Sequence, residues 1–287
     1  MKTSLSVVIP AKNESVAIGG TVQGVLRLFP DAEVIVVNDG SSDETAAVAA
    51  QAGAKVLNQP YSKGNGAAIK TGMRAATWDI VVCMDADGQH RPEDIAPLLA
   101  KLNDGYDMVV GARSHEGQAG LHRSLANGFY NRFASWMVGH RIDDLTSGFR
   151  AVRRSKFLEF ISLLPNKFSY PTTITMSFFR AGYSVAYVPI TVLKRAEGSK
   201  SHISLSKDGL RFLLIIFKIG TLFSPLKLFF PISMVLGGGG VLYYAYTYMT
   251  DGRFTNMGAL LLTTAILVFL MGLVSEQITA LLYREKE

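Results

Sequence analysis

The chain has 287 residues, with 29 Lys and Arg against 23 Asp and Glu, and a formal net charge of +6. That length allows one sizeable domain with appendages or two small domains. The single cysteine, Cys83, excludes an intramolecular disulfide, and its apolar surroundings predict a small buried hydrophobic residue. The strongly apolar stretches lie after residue 203, so the chain has two parts of different solvent preference.

The N-terminus predicts a first β-strand and not a secretion signal. Its apolar stretch, Leu5–Ile9, is short and ends at Pro10, with Lys12 and Glu14 just beyond. A signal peptide would carry a longer apolar region and a small-residue cleavage site.

Short apolar runs alternate with helical patterns as far as about residue 201. The runs predict strands at Leu5–Ile9, Glu33–Asn38, Ile80–Met84 and Met108–Val110. The periodic segments predict helices at Val16–Leu28, Glu44–Gln51, Ala67–Ala76, Ile95–Leu102 and Leu125–Val138. Buried strands that alternate with helices are typical of an α/β fold with a mostly parallel sheet.

Polar residues follow three of the predicted strands, in the segments Pro10–Glu14, Asn38–Ser41 and Asp85–Asp87. Ligands of open α/β sheets bind at the carboxyl ends of the strands. The three segments therefore predict a ligand site along one edge of the sheet.

The acid pair Asp85 and Asp87 is the most informative of these groups. Ala86 separates the two acids, and Gly88 and Gln89 follow. Aspartate and glycine after a strand often form only a turn. However, carboxylates at the end of a buried strand are also the ligands that Mg²⁺ shares with substrate phosphates. The pair predicts a site for Mg²⁺ or Mn²⁺, with Asp87 as the main ligand and Asp85 and Gln89 as its partners.

Two runs without a charged residue, Leu228–Thr250 and Phe254–Ser275, follow the α/β region. Each is long enough to cross a hydrocarbon core of about 30 Å as a helix. We therefore predict two transmembrane helices in place of buried core helices, and the pair offers a surface for association with a second copy. Gly237–Gly240 in the first run either allows close helix approach or loosens the helix.

Basic residues precede the first run and follow the second, at Arg211, Lys218, Lys227, Arg284 and Lys286. The positive-inside bias predicts that both termini and the α/β domain lie on the cytoplasmic side of an inner or plasma membrane. Leu210–Phe223 predicts a helix lying on the membrane, with a third span as the alternative. The expected organisation is a catalytic domain over residues 1–202, an interfacial segment over 203–225 and a two-helix anchor over 226–287.

Six motifs together resemble glycosyltransferase family 2, and within it the polyprenyl- or dolichyl-phosphate hexose synthases. They are S-V-V-I-P-A-K-N-E at Ser6–Glu14, V-V-N-D-G-S-S-D-E-T at Val36–Thr45, K-G-N-G-A-A-I-K-T-G at Lys63–Gly72, M-D-A-D-G-Q-H at Met84–His90, V-G-A-R at Val110–Arg113 and D-L-T-S-G-F-R-A at Asp144–Ala151. Each motif alone is weak, but six in family order over roughly the first 200 residues are specific. The resemblance implies a GT-A fold, a Rossmann-like arrangement, and the two C-terminal runs resemble the membrane anchor of bacterial members.

The resemblance implies a nucleotide-sugar site formed by Pro10, Ala11, Glu14, Asp39, Gly40, Lys63, Gly64, Asp85, Ala86, Arg195 and Lys200. In this family Asp39 would accept hydrogen bonds from the base, although it would also suit a turn. Glu14 is either a nucleoside contact or a carboxylate in the first turn of a helix. Lys63 either meets a phosphate or is solvated. A Rossmann NAD site is disfavoured because Ile69 stands where its third glycine would be.

The resemblance also implies an acceptor-phosphate site formed by Arg113, Arg123 and Asn127. The candidate catalytic residues are Asp87, Asp85, Arg113 and Asp144. Asp144 either orients the acceptor, contacts the sugar or caps the turn at Gly148, and Arg150 is a candidate ion-pair partner. The histidines show no metal-ligand spacing and are expected to be structural or solvated, namely His90, His115, His122, His140 and His202.

Two segments depart from the family pattern. His202 stands where the loop before the membrane usually ends in lysine, which weakens the roles inferred for Arg195 and Lys200. No acidic residue lies between Glu159 and Glu197, where many mannose synthases carry one. The identity of the sugar therefore stays open.

The sequence thus predicts a membrane-anchored, inverting glycosyltransferase. It would move one hexose from a UDP- or GDP-sugar to a polyprenyl phosphate at the cytoplasmic leaflet, and no nucleic-acid partner is expected. A processive polysaccharide synthase would usually carry a Q-x-x-R-W helix and more spans. A silent nucleotide-sugar-binding scaffold would not need Asp85, Asp87, Arg113 and Lys200. A transporter would be expected to carry charges within its spans.

Overall fold

The computed structural model describes residues 4–113, 121–167, 169–193, 217 and 220–284. For 121–127 and 282–284 it describes the backbone only. The chain forms two compact units that divide after Ile203. The predicted boundaries at residues 202 and 225 stay predictions, since 194–216 lie outside the described residues. Most of the predicted interfacial helix, Leu210–Phe223, lies outside them too.

The first unit alternates strands and helices. Its strands are β1 (Leu5–Ala11), β2 (Glu33–Asn38), β3 (Lys55–Asn58), β4 (Ile80–Cys83), β5 (Met108–Arg113), β6 (Arg150–Arg153) and β7 (Val185–Ile190). Its helices are α1 (Ile18–Leu28), α2 (Thr45–Gln51), α3 (Asn65–Ala75), α4 (Ile95–Asn103), α5 (Leu121–Val138), α6 (Arg154–Glu159) and α7 (Tyr170–Arg180). A short 3₁₀ turn over Pro92–Asp94 precedes α4.

The strands form one seven-stranded sheet in the order β3-β2-β1-β4-β6-β5-β7. Only β6 runs antiparallel to its neighbours, β4 and β5, and the other pairs are parallel. The predicted α/β fold with a mostly parallel sheet is therefore confirmed. All four predicted strands and all five predicted helices are present, while β3, β6, β7, α6 and α7 were not predicted.

The sheet is buried on both faces, so its central strands carry apolar side chains without alternation. Leu5, Val7, Val8 and Ile9 of β1 are all completely buried, as expected for a parallel sheet covered by helices. Cys83 at the end of β4 is equally buried, and this burial raises the pKa of its thiol to about 12. It is thus the small hydrophobic residue that the sequence predicts.

Helix α3 approaches the sheet so closely that one of its positions has no room for a side chain. A Cβ added at Gly72 would lie 2.3 Å from Val8 Cγ1 and 3.3 Å from Val37 Cγ2. Gly72 therefore sets the distance between α3 and the two strands β1 and β2, whose carboxyl ends lead into predicted ligand-binding segments.

The second unit is a pair of long helices, α8 (Pro225–Asp251) and α9 (Asn256–Arg284). Both are long and apolar enough to cross a membrane. They are in direct contact, since Ser233 Oγ donates to the Ala265 carbonyl at 2.8 Å. A Cβ at Gly240 would lie only 3.0 Å from Leu262, which favours close helix approach as the role of this glycine.

We expect Gly72→Ala to destabilise the first unit, because its methyl group would overlap Val8. Overpacking of this kind typically costs about 1–3 kcal/mol. Because the added Cβ would lie only 2.3 Å from Val8 Cγ1, we expect a cost in the upper part of that range, above the gain of about 1 kcal/mol from helix propensity. The apparent Tm of the full chain should fall by several degrees. Gly20→Ala in α1 is the matched control, since nothing lies within 4 Å of its added Cβ. An equal or higher Tm for Gly72→Ala would contradict the packing argument.

Candidate active site

The carboxyl ends of β2, β1 and β4 meet at one edge of the sheet because these strands are adjacent and parallel. The polar segments that follow them are thereby brought side by side. Asp39 N donates to the Ala11 carbonyl at 2.8 Å, and Met84 N donates to the Val8 carbonyl at 3.1 Å. The shared edge that the sequence predicts for these segments is present.

Asp39 is only 4% exposed and organises the loop that precedes α3. Its carboxylate accepts hydrogen bonds from Lys63 N at 2.7 Å, Gly64 N at 3.0 Å and Ser62 Oγ at 2.8 Å. These donors take most of the roughly four acceptor positions of a carboxylate. The Asp39 carboxylate therefore holds a distant loop in place, while its role in the turn at Gly40 and its contact with a nucleobase stay predictions.

The loop at the start of α3 packs tightly against the segment that precedes α7. A Cβ at Gly64 would lie 2.7 Å from the Asn166 carbonyl oxygen, and Gly64 has a φ of +102°. Gly66 N donates to the Lys167 carbonyl at 3.2 Å. A Cβ at Gly66 would lie 2.0 Å from the Pro165 carbonyl oxygen, so neither position has room for a side chain. Lys63 lies over the ring of Tyr61, with its Nζ 5.4 Å from the centroid.

Glu14 lies at the turn into α1. Its carbonyl accepts hydrogen bonds from Ala17 N at 3.1 Å and Ile18 N at 3.0 Å, and its own N–H donates to Thr45 Oγ1 at 2.9 Å. These are backbone contacts, so both roles of the Glu14 carboxylate stay predictions, as do the nucleoside contacts of Pro10, Ala11 and Gly40.

The acid pair begins two residues after the end of β4, and its two members lie in different surroundings. The Asp85 side chain is 39% exposed. Asp87 is buried, and its Oδ1 accepts a hydrogen bond from Gln89 N at 3.1 Å. Ala86 between them points into the core and is buried. Asp85 therefore lies at the surface of the site, and Asp87 is held within the turn that follows the strand.

Gln89 ties this turn to the chain that follows β7. Its Nε2 donates to the Leu193 carbonyl at 3.1 Å, and Leu193 N donates to the Gln89 carbonyl at 2.9 Å. With the side-chain nitrogen so engaged, Oε1 is the atom of Gln89 that is available to a cation.

The oxygen donors at this edge fit a hard divalent cation. Asp85, Asp87 and Gln89 would offer two carboxylates and one amide oxygen, the ligand types that Mg²⁺ and Mn²⁺ accept. Over the described ranges, no three His, Cys, Asp or Glu side chains cluster as a metal cage. An ion at this edge would take its other ligands from water and substrate phosphates.

Arg113, at the end of β5, forms a bidentate ion pair with Asp144. Arg113 Nε lies 2.8 Å from Asp144 Oδ2, and Nη2 lies 3.0 Å from Oδ1. Burial alone would raise the pKa of Asp144, but the hydrogen bonds and charge of Arg113 lower it below its usual value. Burial opposes the charge of Arg113 as well, yet its contacts with Asp144 raise the pKa of the guanidinium. Both groups are therefore charged at neutral pH.

Asp144 also closes the turn that leads to Gly148. Its Oδ1 accepts hydrogen bonds from Thr146 N and Ser147 N, both at 3.1 Å. The capping role left open by the sequence is thus observed, together with an ion pair that was not predicted. The roles of Asp144 and Arg113 in acceptor binding stay predictions.

Arg150 does not form the expected ion pair with any carboxylate among the described residues. It is completely buried, and its Nη1 donates to the Pro171 carbonyl at 3.3 Å and to Thr175 Oγ1 at 3.2 Å. Nη2 donates to the Ser147 carbonyl. The expectation is corrected because backbone and hydroxyl oxygens of the Ser147 turn and α7 surround this guanidinium.

His90 is a contact of the acid pair that sequence reasoning missed. Its side chain is buried, and Nε2 lies 3.3 Å from Asp85 Oδ2. The position five residues after Asp85, beyond a turn at Gly88, was the available signal. His140 instead stacks on Phe179 with ring centroids 5.3 Å apart, a structural role.

Part of the predicted acceptor site lies outside the described side chains. The backbone confirms that Arg123 and Asn127 lie near the start of α5, one turn apart, but their side chains are not described. Arg195 and Lys200 lie outside the described residues altogether, as do His115 and His202. Further along α5, Phe129 and Trp136 are exposed, so this helix presents aromatic surface to solvent.

Comparison with known proteins gives two family matches. Residues 6–160 match the family described as Glycosyl transferase family 2, and residues 224–281 match the family described as GtrB C-terminal hairpin. A dolichyl-phosphate hexose transferase of Haloferax volcanii is 33% identical over 198 residues, covering 68% of this chain and 86% of that protein. A polyprenol monophosphomannose synthase of Mycolicibacterium smegmatis is 31% identical over 208 residues, covering 67% and 78%.

Among solved structures, the fold is similar to a glucosyl-3-phosphoglycerate synthase from Mycobacterium tuberculosis in complex with Mn²⁺, uridine diphosphate and phosphoglyceric acid. The TM-score is 0.62 at 21% sequence identity, and the match covers 76% of this chain and 78% of that chain. This likeness confirms the GT-A fold that the sequence predicts.

We expect Asp144→Ala to destabilise the first unit by about 2–3 kcal/mol, because it leaves Arg113 largely buried without its partner. The value lies slightly below that for a fully buried pair, since the Arg113 side chain is 30% exposed. The pKa of Asp144 is lowered by folding, so its contribution is complete near pH 7 and is lost as the pH falls through that lowered pKa. Urea unfolding at pH 7 measures the difference.

The matched control is Asp143→Ala, whose partner Arg141 is mostly exposed. A surface pair of this kind contributes at most about 1 kcal/mol. Equal losses for the two variants would show that the ion pair of Asp144 has no special importance.

Proposed function

The chain belongs to glycosyl transferase family 2, and on that basis we propose that it transfers one hexose from a nucleoside diphosphate sugar to a polyprenyl phosphate. The observation that carries this proposal is the acid pair Asp85 and Asp87, placed beside the loop of Asp39 at the carboxyl edge of the sheet. The product would be a polyprenyl-phosphate-linked hexose.

The relatives support the lipid acceptor. Both named relatives cover more than two thirds of this chain, and their names describe hexose transfer to dolichyl phosphate and synthesis of a polyprenol monophosphomannose. The hairpin formed by α8 and α9 supports it independently, because an enzyme anchored in a bilayer can meet an acceptor that does not leave the bilayer.

The donor would bind along the edge formed by β1, β2 and β4. Pro10, Ala11, Glu14, Asp39 and Gly40 line the nucleoside end, and Asp39 holds the loop of Lys63 and Gly64 in place for it. The base is uracil or guanine. Arg195 and Lys200 are proposed as further contacts of the diphosphate.

Asp87, Asp85 and Gln89 would hold Mg²⁺ or Mn²⁺ at the diphosphate end. When bound, the ion neutralises charge that develops on the diphosphate as the glycosidic bond breaks. The protein contributes the position of the carboxylates, because Asp87 is fixed by its turn and Asp85 is the one exposed to the site.

The acceptor needs positioning more than deprotonation. A phosphate monoester has a second pKa near 6, so it is largely a dianion at neutral pH. Arg113, Arg123 and Asn127 would orient this dianion, because guanidinium groups bind phosphate oxygens bidentately. The ion pair with Asp144 would keep the fork of Arg113 in a fixed orientation while it does so.

Transfer would proceed by one in-line displacement with inversion. An oxygen of the acceptor phosphate forms a bond to the anomeric carbon, and the bond from that carbon to the β-phosphate oxygen breaks with its electron pair. The attacking dianion has no proton to lose, so the proposed mechanism assigns no residue as a general base.

The proposed orientation places the first unit and both termini on the cytoplasmic side, where nucleotide sugars are soluble. It rests on two basic residues, Lys227 near the start of α8 and Arg284 at the end of α9. Both lie at the end of the hairpin opposite its connecting loop, and basic residues favour the cytoplasmic side. The exposed aromatic residues of α5 would suit a position near the lipid acceptor.

We expect Asp87→Asn to lower transfer of radiolabelled hexose to polyprenyl phosphate by at least about a thousandfold, since a neutral amide is a poor ligand beside a diphosphate. The assay uses the full chain in membranes with UDP- and GDP-sugars tested separately. Asp104→Asn, at a highly exposed position with only a surface ion pair, is the control and should keep full activity. Normal turnover by a folded Asp87→Asn chain would refute the metal-site proposal.

We expect Arg123→Ala to raise KM for the polyprenyl phosphate about tenfold or more while KM for the donor stays within about twofold. Loss of one charge-assisted contact to phosphate costs about 1.5–3 kcal/mol, which corresponds to this range. Arg132→Ala, at an exposed position of the same helix, is the matched control. A larger effect on the donor than on the acceptor would mean that Arg123 belongs to the other substrate.

A further inference from the structure

His90 is buried next to Asp85, and only one of its two ring nitrogens makes a polar contact among the described residues. The residue is 8% exposed, and its ring stacks on Phe149 with centroids 5.0 Å apart and planes inclined by 13°. Nε2 faces Asp85 Oδ2 at 3.3 Å. Nδ1 is buried and has no hydrogen-bond partner among the described residues.

This geometry assigns the Nε2 proton to the contact with Asp85. A carboxylate only accepts hydrogen bonds, so the ring nitrogen that faces it must donate. One side chain is thus stacked, buried and directed at one carboxylate.

The turn that precedes β6 also limits the space around Asp85. A Cβ at Gly148 would lie 3.1 Å from both carboxylate oxygens of Asp85, so the backbone there approaches the carboxylate directly. Gly148 and Phe149 are consecutive residues. The same short segment therefore limits the space around Asp85 and supports the ring that donates to it.

We propose that His90 is a positioning residue, which fixes the Asp85 carboxylate in the orientation that binds the metal–nucleotide complex. The inference rests on the proposed function, in which Asp85 is a metal ligand. The Asp85 side chain is 39% exposed and can therefore reach a ligand, while the buried His90 ring contacts its Oδ2 atom. Outer hydrogen-bond partners of metal ligands fix the orientation of those ligands and typically change metal affinity about 10–100-fold.

The experiment measures Mn²⁺ affinity of the full chain with saturating UDP, and in a second series with GDP, from the electron paramagnetic resonance signal of free Mn²⁺. His90→Phe keeps an aromatic ring on Phe149 and removes the donor, so we expect Mn²⁺ affinity to fall about tenfold or more. His90→Gln carries an N–H at a similar reach, so we expect it to recover most of that affinity. Equal affinity for wild type and His90→Phe would overturn the proposal.

A second pair of variants guards against a folding defect. The side chain of Asn is one methylene shorter than that of Gln, so His90→Asn should not reach Asp85 and should lose affinity where His90→Gln keeps it. Apparent Tm values accompany each measurement. If Asn and Gln weaken binding equally at similar Tm, the role of His90 is packing alone and the proposal fails.

A double-variant cycle tests whether His90 acts through Asp85. In the Asp85→Asn background, His90→Phe should cause no further loss of Mn²⁺ affinity, because the group that it positions has been changed. Losses that multiply independently would contradict the proposal, since a general structural role does not depend on Asp85.

The same measurements separate this proposal from the proposed function. If Asp85→Asn and Asp87→Asn both bind Mn²⁺ as wild type does, the metal site itself is refuted. If both lose Mn²⁺ affinity while His90→Phe does not, the metal site stands and only the positioning role of His90 is refuted.

Discussion

The parallel pairing of β2, β1 and β4 is the constraint on which the site depends. Because the three strands run in the same direction, their carboxyl ends lie at one edge, and residues far apart in sequence become neighbours there. Asp39 is bonded through its backbone to Ala11, and the acid pair begins two residues after the end of β4. The chemistry of the edge therefore follows from strand direction, and the helices, through close contacts such as that at Gly72, keep the sheet in this arrangement.

Two arginines close to this edge, one half-buried and one completely buried, are stabilised in different ways. Arg113 has a carboxylate partner, so its charge is balanced locally by Asp144. Arg150 is deeper and, among the described residues, is bonded to carbonyl and hydroxyl oxygens of the Ser147 turn and α7. Both belong to the surroundings of the D-L-T-S-G-F-R motif. Residues of this motif therefore support the site. Asp144 binds Arg113, Gly148 leaves space for the Asp85 carboxylate, and Phe149 stacks on the ring of His90.

Local patterns in the sequence were sufficient to predict the strands with continuous apolar runs and the helices with clear periodicity. Strand β6 was missed because it contains arginines at both ends, and its antiparallel direction depends on partners distant in sequence. Helix α7 was missed because it is buried all round and rich in Thr and Ser, whose hydroxyls bond carbonyls four residues earlier. In the site, residue types identified Asp85, Asp87 and Asp39, whereas the contacts of His90 and Gly148 with Asp85 require the tertiary structure.

Burial of Cys83 has a practical consequence for spectroscopy of this protein. It is the only cysteine in the chain, and it lies at the end of β4 with no exposed surface and a pKa raised to about 12. Since the thiolate is the reactive form, maleimide reagents will pass over this residue in the folded chain. A cysteine introduced on the surface can therefore carry a spin label or a fluorophore without prior removal of the native thiol.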